Sequence, residues 1–452
     1  MTSIDLFSGP GGLATGLKWA GIHALIAIEW SPTTVQTYCA SHDAQPFELD
    51  DLIRKSADPA FHFERSDRTL MIHGDIRNVS RDLILKILRE RFDCESVDIV
   101  TGGAPCESFS MAGDRNIDDY RNVLYTNVLR IARAVNSKMF LFENVKGLFS
   151  KQAKDDPLGM FHFICQDFES VRYDENGNEL PSYTLASKDK NIVLMHAIDY
   201  GVPQARERII LVGINNKYNG HFEYPAPTHG NAQGLLPYVT VEDAIMDLPQ
   251  VESKEENNYY NFVGQYENPE SPYHDFLTPE RDDFLDKMRG RTLPPEVADF
   301  DIEHGLSIQK GPGHIRKMMN RIKEIRIGEN MKTASLRLIE EGRRDYVNAN
   351  FPKKIYAARN RRLDPSKPSF TVTSHCLDEM IHPYLNRALT PREAARLQSF
   401  PDWYIFEGPY VEFHGAFVQD KYEQIGDAIP PLLAYAIGNQ IYDTLNTLVL
   451  RD

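Results

Sequence analysis

The sequence predicts an α/β protein: a doubly wound, mostly parallel sheet with a smaller domain inserted late in the chain. Three observations carry this. Strand-like and helix-like stretches alternate through the first half, a glycine-dense loop follows the first strand, and the alternation stops after "QARERIILVGINN". In order, "SIDLFS" is a short apolar strand, "GPGG" a tight loop, "LATGLKWAG" a helix closed by glycine, and "IHALIAIEW" a strand ending on Glu29 and Trp30. A helical turn region leads to the strand "TLMIHGDI", the helix "RDLILKILRERF" and the strand "SVDIVTGGAPC". A long helix around "VLYTNVLRIARAV" then precedes "KMFLFENV". Ligands of such sheets bind beyond the carboxyl ends of the strands, so Asp5, Glu29, Asp75, Cys106 and Glu143 are expected to converge on one rim.

At 452 residues the chain exceeds the usual reach of one core, which predicts two lobes. Residues 1–215 form the expected catalytic and cofactor-binding lobe. Residues 216–385, rich in loops such as "YPAPTHG" and "NPESPYHD", form an inserted recognition lobe, and 386–452 return to the first lobe through "LTPREAARLQSF" and an apolar final helix. The 42% hydrophobic and 25% charged content is that of a soluble globular protein. No apolar run of roughly eighteen residues occurs, and "MTSIDLF" enters a strand directly rather than through a leader, which places the protein in the cytoplasm and predicts no membrane contact. Five scattered cysteines without paired spacing predict neither disulfides nor a metal site. The net charge of −15 excludes a generally sticky nucleic-acid coat protein while leaving room for a local basic groove.

Gly9, Gly11 and Ala14 satisfy a loose dinucleotide-binding pattern, with Glu29 about 20 residues on, where a ribose-binding carboxylate sits. A nicotinamide enzyme fits this much. Cys106 ends a strand-like run at the ligand-presenting rim, where a nucleophile needs its thiolate stabilised by positive charge. Arg206 and Arg208, on alternate positions of a strand-like stretch, offer that charge on one face. Glu143 also falls at a strand's carboxyl end, where partial desolvation raises a carboxyl pKa and suits it to proton donation. One helix crossover fits between Cys106 and Glu143, so the two can be neighbours.

Six blocks, "DLFSGPGG", "GAPCESFS", "FENVKGL", "QARERIILVG", "RALTPREAARLQSFPD" and "QIGDAIPP", occur in the order of those of the cytosine-5 DNA methyltransferases of bacterial modification systems, and nearly the whole chain resembles that family. The resemblance implies a Rossmann-like methyltransferase fold, S-adenosyl-L-methionine as cofactor, and double-stranded DNA as substrate. Phe7, Gly9, Gly11 and Gly12 match the block lining the cofactor pocket. Glu29 matches the ribose ligand, Trp30 the residue packing on adenine, and Asp75 and Ile76 its edge, with Pro105, Leu124, Asp427 and Ala428 completing the cofactor set. Cys106 is the implied nucleophile, surrounded with the target cytosine by Glu143, Arg206 and Arg208. Gln204 and Ser110 are implied to support DNA binding. The resemblance also implies a monomer, located at the nucleoid when bound and serving a restriction or defence system.

Two positions depart from the family pattern: Glu107 replaces the common glutamine and Asp427 the common asparagine. Within the inserted lobe, the stretch from Lys310 to Lys332 combines cations with Ile315, Met318, Met319, Ile322 and Ile325 at helical spacing, which predicts one packed face and one facing phosphates. Arg316, Lys317 and Lys323 are its DNA-contacting candidates, and Arg359, Arg361 and Arg362 form a second cluster. A tRNA-directed member of the family carries a cysteine-phenylalanine-threonine motif absent here. An inactive DNA-binding homologue would not need Cys106 and Glu143, and a nicotinamide oxidoreductase leaves both unexplained.

Overall fold

The computed structural model describes residues 1–104, 124–152, 158–174, 176–259, 279–296, 305–411 and 418–451. The chain divides into two compact units. The first comprises Met1–His196, Glu207–Ala226 and Leu433–Asp452, and the second Ala197–Arg206 and Pro227–Leu432.

The first unit is built on β1 (Thr2–Leu6), β2 (His23–Glu29), β3 (Ala44–Glu48), β4 (Thr69–His73), β5 (Ile99–Gly103), β6 (Met139–Val145), β7 (Tyr183–Leu185) and β8 (Leu194–His196). After a two-residue strand in the second unit, β9 (Gln204–Ala205), the sheet is completed by β10 (Glu207–Asn215). The strand order is β3-β4-β2-β1-β5-β6-β10-β7, with β8 also pairing β10. The six strands from β3 to β6 in that order run parallel, and β10 runs antiparallel to β6, β7 and β8. Helices α1 (Gly12–Trp19), α2 (Pro32–Ser41), α3 (Leu49–Ser56), α4 (Arg81–Phe92), α5 (Thr126–Ala134), α6 (Met160–Glu169) and α7 (Lys190–Val193) connect the strands. Strands covered on both faces read as continuous apolar runs: Ile4, Leu6, Ile26, Ile28, Leu70, Ile72, Phe140 and Phe142 are all buried. The doubly wound α/β class expected from the alternating pattern is the one observed.

The second unit contains α8 (Val241–Ile245), α9 (Pro279–Met288), α10 (Arg316–Glu324), α11 (Met331–Glu340), α12 (Arg344–Asn350), α13 (Cys376–Glu379), α14 (Pro391–Leu397) and α15 (Lys421–Asp427). The final helix, α16 (Pro431–Thr447), carries the chain back to the first unit from Leu433. The return expected at residue 386 is therefore displaced to Leu433, and the physical reason is a set of buried arginines. Arg396 pairs with Asp247 at 3.0 Å and Asp402 at 2.5 Å, and Arg387 with Glu393 at 2.7 Å. Arg392 donates to the carbonyls of Ser307, Pro401 and Tyr404. These bonds fasten α14 to partners at 247, 307 and 402, all within the second unit. Among the described residues the cysteines are free thiols, and no helix is long and apolar enough to cross a membrane.

Removing one member of a buried ion pair leaves an uncompensated charge, which costs about 3–5 kcal/mol. Arg396→Met is therefore expected to lower the urea midpoint of the second unit sharply, followed by Trp403 fluorescence; an unchanged midpoint would show that the pair carries no net stability.

Candidate active site

Strand order reverses at β1, which has β2, β4 and β3 on one side and β5 and β6 on the other. Ligand crevices of parallel sheets open at such a reversal, beyond the carboxyl ends of the central strands. Two stretches leave there: the loop from Phe7 to Gly11, after β1, and the chain that leaves β5 at Ala104.

The first is a glycine loop with φ of 54° at both Phe7 and Gly9 and 99° at Gly11. A Cβ on Gly9 would meet nothing within 4 Å, so the left-handed backbone rather than lack of space calls for glycine there. Phe7 adopts the same region at a cost of about 1–2 kcal/mol that its surroundings must offset. Gly11 caps α1, which begins at Gly12. Glu29, at the end of β2, is buried, and its two oxygens accept from the N–H groups of Gly9 (3.0 Å), Trp30 (2.9 Å) and Ser31 (2.9 Å). Burial pushes its carboxyl pKa up against these three bonds. Trp30 leaves 53% of its surface exposed beside it. Asp75, two residues beyond β4, bonds Arg77 through both side chain and backbone, and the Arg77 bond holds its carboxyl below the usual range. Ile76 and Leu124 are buried.

Asp5 is the exception to the expected rim. It lies within β1, fully enclosed, where Oδ1 accepts from Thr101 Oγ1 at 2.9 Å and Oδ2 has no hydrogen-bond partner among the described residues. Burial pushes its carboxyl up to about 7, against the Thr101 bond.

At the other stretch, Glu143 on β6 stands in register with Gly103 on β5 and Ile210 on β10. Arg208, two residues before Ile210 and on the same face, donates from Nε to Glu143 Oε1 at 2.8 Å, the side chains being only 11% and 12% exposed. A Cβ on Gly103 would lie 2.7 Å from Glu143 Oε2, so only glycine leaves this carboxylate its place. Asn144, which the sequence reading passed over, donates from Nδ2 to Ala104 O at 3.3 Å and so ties down the root of the stretch that leads to the cysteine. Its position directly after the glutamate in "FENV" was the available signal. Pro105, Cys106, Glu107 and Ser110 lie outside the described residues.

Three expectations are corrected. Arg206 does not share a face with Arg208 toward a substrate: its guanidinium is buried and donates to the carbonyls of Val372 (2.7 Å), Gly426 (2.8 Å) and Ala428 (2.9 Å). Gln204 is no surface DNA contact, since its buried amide donates to Leu397 O and Gln398 Oε1 and accepts from Val372 N. Arg362 is likewise enclosed, giving its N–H groups to the carbonyls of Ile322, Ile325, His382 and Leu385. In each case burial of a strongly polar group obliges it to find acceptors inside the fold. Arg361 is half-buried, its guanidinium 4.1 Å from the centre of the Phe370 ring. Arg316, Lys317, Lys323 and Arg359 are exposed. Asp427 ends α15 exposed, accepting from Gln419 Nε2 at 3.2 Å, and Ala428 is buried.

Residues from the switch-point crevice to the final helix thus follow the Rossmann-like methyltransferase architecture. The fold aligns over 99% of both chains, with a TM-score of 0.64 and 24% identity, with a prophage-encoded E. coli protein assigned as a DNA modification methyltransferase. The model of the C-5 cytosine-specific DNA methylases matches residues 1–63 and 52–443, and the chain belongs to that family: it is a DNA (cytosine-5-)-methyltransferase. It is 28% identical to the type II methyltransferase M.DdeI of Desulfomicrobium norvegicum, across 98% of this chain and 88% of that one. Identity is 29% with M.XorII of Xanthomonas oryzae pv. oryzae, across 98% and 84%.

Two outcomes follow from this geometry. Gly103→Ala is expected to displace the Glu143 carboxylate and cut turnover by about 10²-fold, the scale of a misplacement near 1 Å, without lowering the melting temperature much; wild-type turnover would show that the close approach is inconsequential. Asp5 has a folded pKa near 7, above its unfolded value of 3.8, so folding binds a proton between those pH values. Its contribution is fully present below pH 3.8 and lost as pH rises through 7. Asp5→Asn, which mimics the protonated form, should match wild-type stability below pH 3.8 and exceed it by a growing margin as pH rises toward 7 in urea titrations of the ligand-free protein. A stability difference independent of pH would exclude a buried titrating carboxyl.

Proposed function

We propose that the protein transfers a methyl group to carbon 5 of a cytosine flipped out of double-stranded DNA, through a transient covalent bond to Cys106. The observation that supports this best is the Glu143–Arg208 pair set against Gly103 at the end of β5, three residues before the cysteine.

The residues present fit S-adenosyl-L-methionine. Open space lies over Gly9, Glu29 has two lone pairs per oxygen against three accepted bonds, and the Trp30 ring offers an exposed apolar face. The loop from Phe7 to Gly12 with Glu29, Trp30, Asp75, Ile76, Pro105 and Leu124 would hold it. When bound, it supplies an electrophilic methyl group on a sulfonium.

Cytosine carbon 5 is too weak a nucleophile alone, so the Cys106 thiolate adds to carbon 6 and converts the ring to an enamine. Glu143, oriented by Arg208 and carrying a proton, donates a hydrogen bond to ring nitrogen 3 and so stabilises the negative charge that the addition places there. Once carbon 5 carries the methyl group, it loses its proton and the thiolate leaves. The cytosine inside a duplex is out of reach, so the base must leave the stack at a cost of a few kcal/mol. Arg206 and Gln204 serve as positioning residues, holding the backbone at 372, 397 and 426–428. The relatives are type II methyltransferases, and we assign this protein to the same role, a monomer modifying DNA beside a restriction or defence activity.

Cys106→Ser is expected to abolish methyl transfer from labelled S-adenosylmethionine to DNA while cofactor binding persists. Glu143→Gln should lower turnover by roughly 10²-fold or more. Turnover by the serine variant would sink the covalent route, and transfer to tRNA in place of DNA would overturn the substrate.

A further inference from the structure

The two basic segments of the second unit are joined. Arg321, on α10, donates from Nε to Asn360 Oδ1 at 2.7 Å and from an amino group to Asn350 O at 3.2 Å. Asn320 adds a bond to Asn350 Oδ1 at 2.9 Å, and Tyr346 OH on α12 donates to Asn320 O at 2.8 Å. One helix thereby grips both ends of the loop between Asn350 and Asn360. Asn360 is buried with φ of 47°, its Nδ2 bonded to Asp378 O, so the loop's exit is fixed by a left-handed residue with its own acceptor.

The loop held this way is unusual for a chain of net charge −15. Residues 351–362, "FPKKIYAARNRR", contain five cations and no acid. Arg361 and Arg362 are withdrawn into the fold as described, whereas Lys353, Lys354 and Arg359 stay exposed. Between them Tyr356 leaves 45% of its surface exposed, with the Lys354 ammonium 5.0 Å and the Arg359 guanidinium 5.9 Å from its ring centre. Arg316 and Lys317, one turn before Asn320 and Arg321 on α10, lie on the helix side that carries the staple. Neither they nor Lys353 and Lys354 have a carboxylate partner among the described residues; Arg359 has Asp378 at 3.8 Å. Nearby acids are already taken, Glu324 by Arg343 at 2.7 Å and Glu329 by Arg337 at 2.8 Å.

Exposed cations beside a raised aromatic ring, most of them without a carboxylate partner among the described residues, suit a polyanion that also presents apolar surface. We propose that this stapled loop and the adjoining turn of α10 form one surface for duplex DNA, with Arg316, Lys317, Lys353, Lys354 and Arg359 on phosphates and Tyr356 against the bases between them. The inference rests on DNA being the substrate. It adds that the loop, rather than the helix alone, sets the grip, and that Tyr356 is an aromatic anchor of that grip.

The test is binding of a fluorescein-labelled, mixed-sequence duplex by the full-length protein at several salt concentrations. Replacing Lys354 and Arg359 together by alanine should weaken binding and reduce the log–log salt slope by about 1.8, since each phosphate contact contributes about 0.9. Tyr356→Ala should weaken binding by about tenfold or more, the scale of an aromatic anchor, with the salt slope unchanged, while Tyr356→Phe retains wild-type affinity. Slopes and affinities equal to wild type would overturn the inference, as would a wild-type protein that does not bind the duplex. The parallel measurement of methyl transfer to DNA by the wild type separates the cases: transfer intact with unaltered variants removes the loop from the interface and leaves the enzymatic reading standing, whereas absence of transfer removes that reading by itself.

Discussion

A buried carboxylate must be met by donors or by a cation, and the bond from Arg208 to Glu143 determines how the rest of this rim is built. It requires β10 to run against β6, because only an antiparallel strand brings its first residues to the edge where parallel strands end. The reversal of direction in an otherwise parallel sheet is thus the means by which a cation early in one strand meets an acid late in another. It also requires a bare Cα at Gly103, where any side chain would enter the space of Glu143 Oε2. Asn144 then ties Ala104 beside the pair, so the chain leaving β5 starts from a fixed point.

How far the sequence could be read follows from which forces leave a local pattern. Strands buried on both faces spell themselves out as apolar runs, so β1, β2, β4, β5 and β6 were legible, as was the glycine loop, whose φ values impose residue type. Glu143 and Arg208 were legible for the same reason, because strand ends mark the rim. Arg206, Gln204 and Arg362 were not. A buried arginine and an exposed one look alike in sequence, since what separates them is the location of carbonyl acceptors some 20 to 220 positions away. The boundary at 386 failed likewise: "LTPREAARLQSF" has the texture of a regular domain element, while its membership of the second unit is decided by partners at Asp247 and Ser307.

Those arginines explain how a loop-rich unit holds together. Its apolar clusters are small, for example Ile322, Ile325, Ala334 and Ile381 in one and Met331, Leu338, Val347 and Phe351 in another. Loops also leave backbone carbonyls without helical or sheet partners, and a buried carbonyl must be satisfied. A guanidinium meets that need with five donors in a fixed fork. Arg206 and Arg362 each collect three or more carbonyls from segments distant in sequence, and Arg392 joins Ser307 to Pro401 and Tyr404, replacing a regular ladder by a few many-armed junctions. The same accounting sorts the cations of this unit: those absorbed as junctions are unavailable to a ligand, and those left exposed without carboxylates are the ones whose charge is unspent.

The two acids beneath the glycine loop show a complementary economy. Glu29 and Asp5 are both enclosed, and burial raises both, yet they are equipped differently. Three backbone N–H groups converge on Glu29, and one of them comes from Gly9, so the carboxylate and the loop conformation stabilise each other. Asp5 receives one hydroxyl and has an oxygen left over, which is tolerable only because the acid takes up a proton near neutrality instead of holding a charge. One acid is therefore organised to present ordered oxygens at the crevice, and the other to remain neutral within the sheet that supports it.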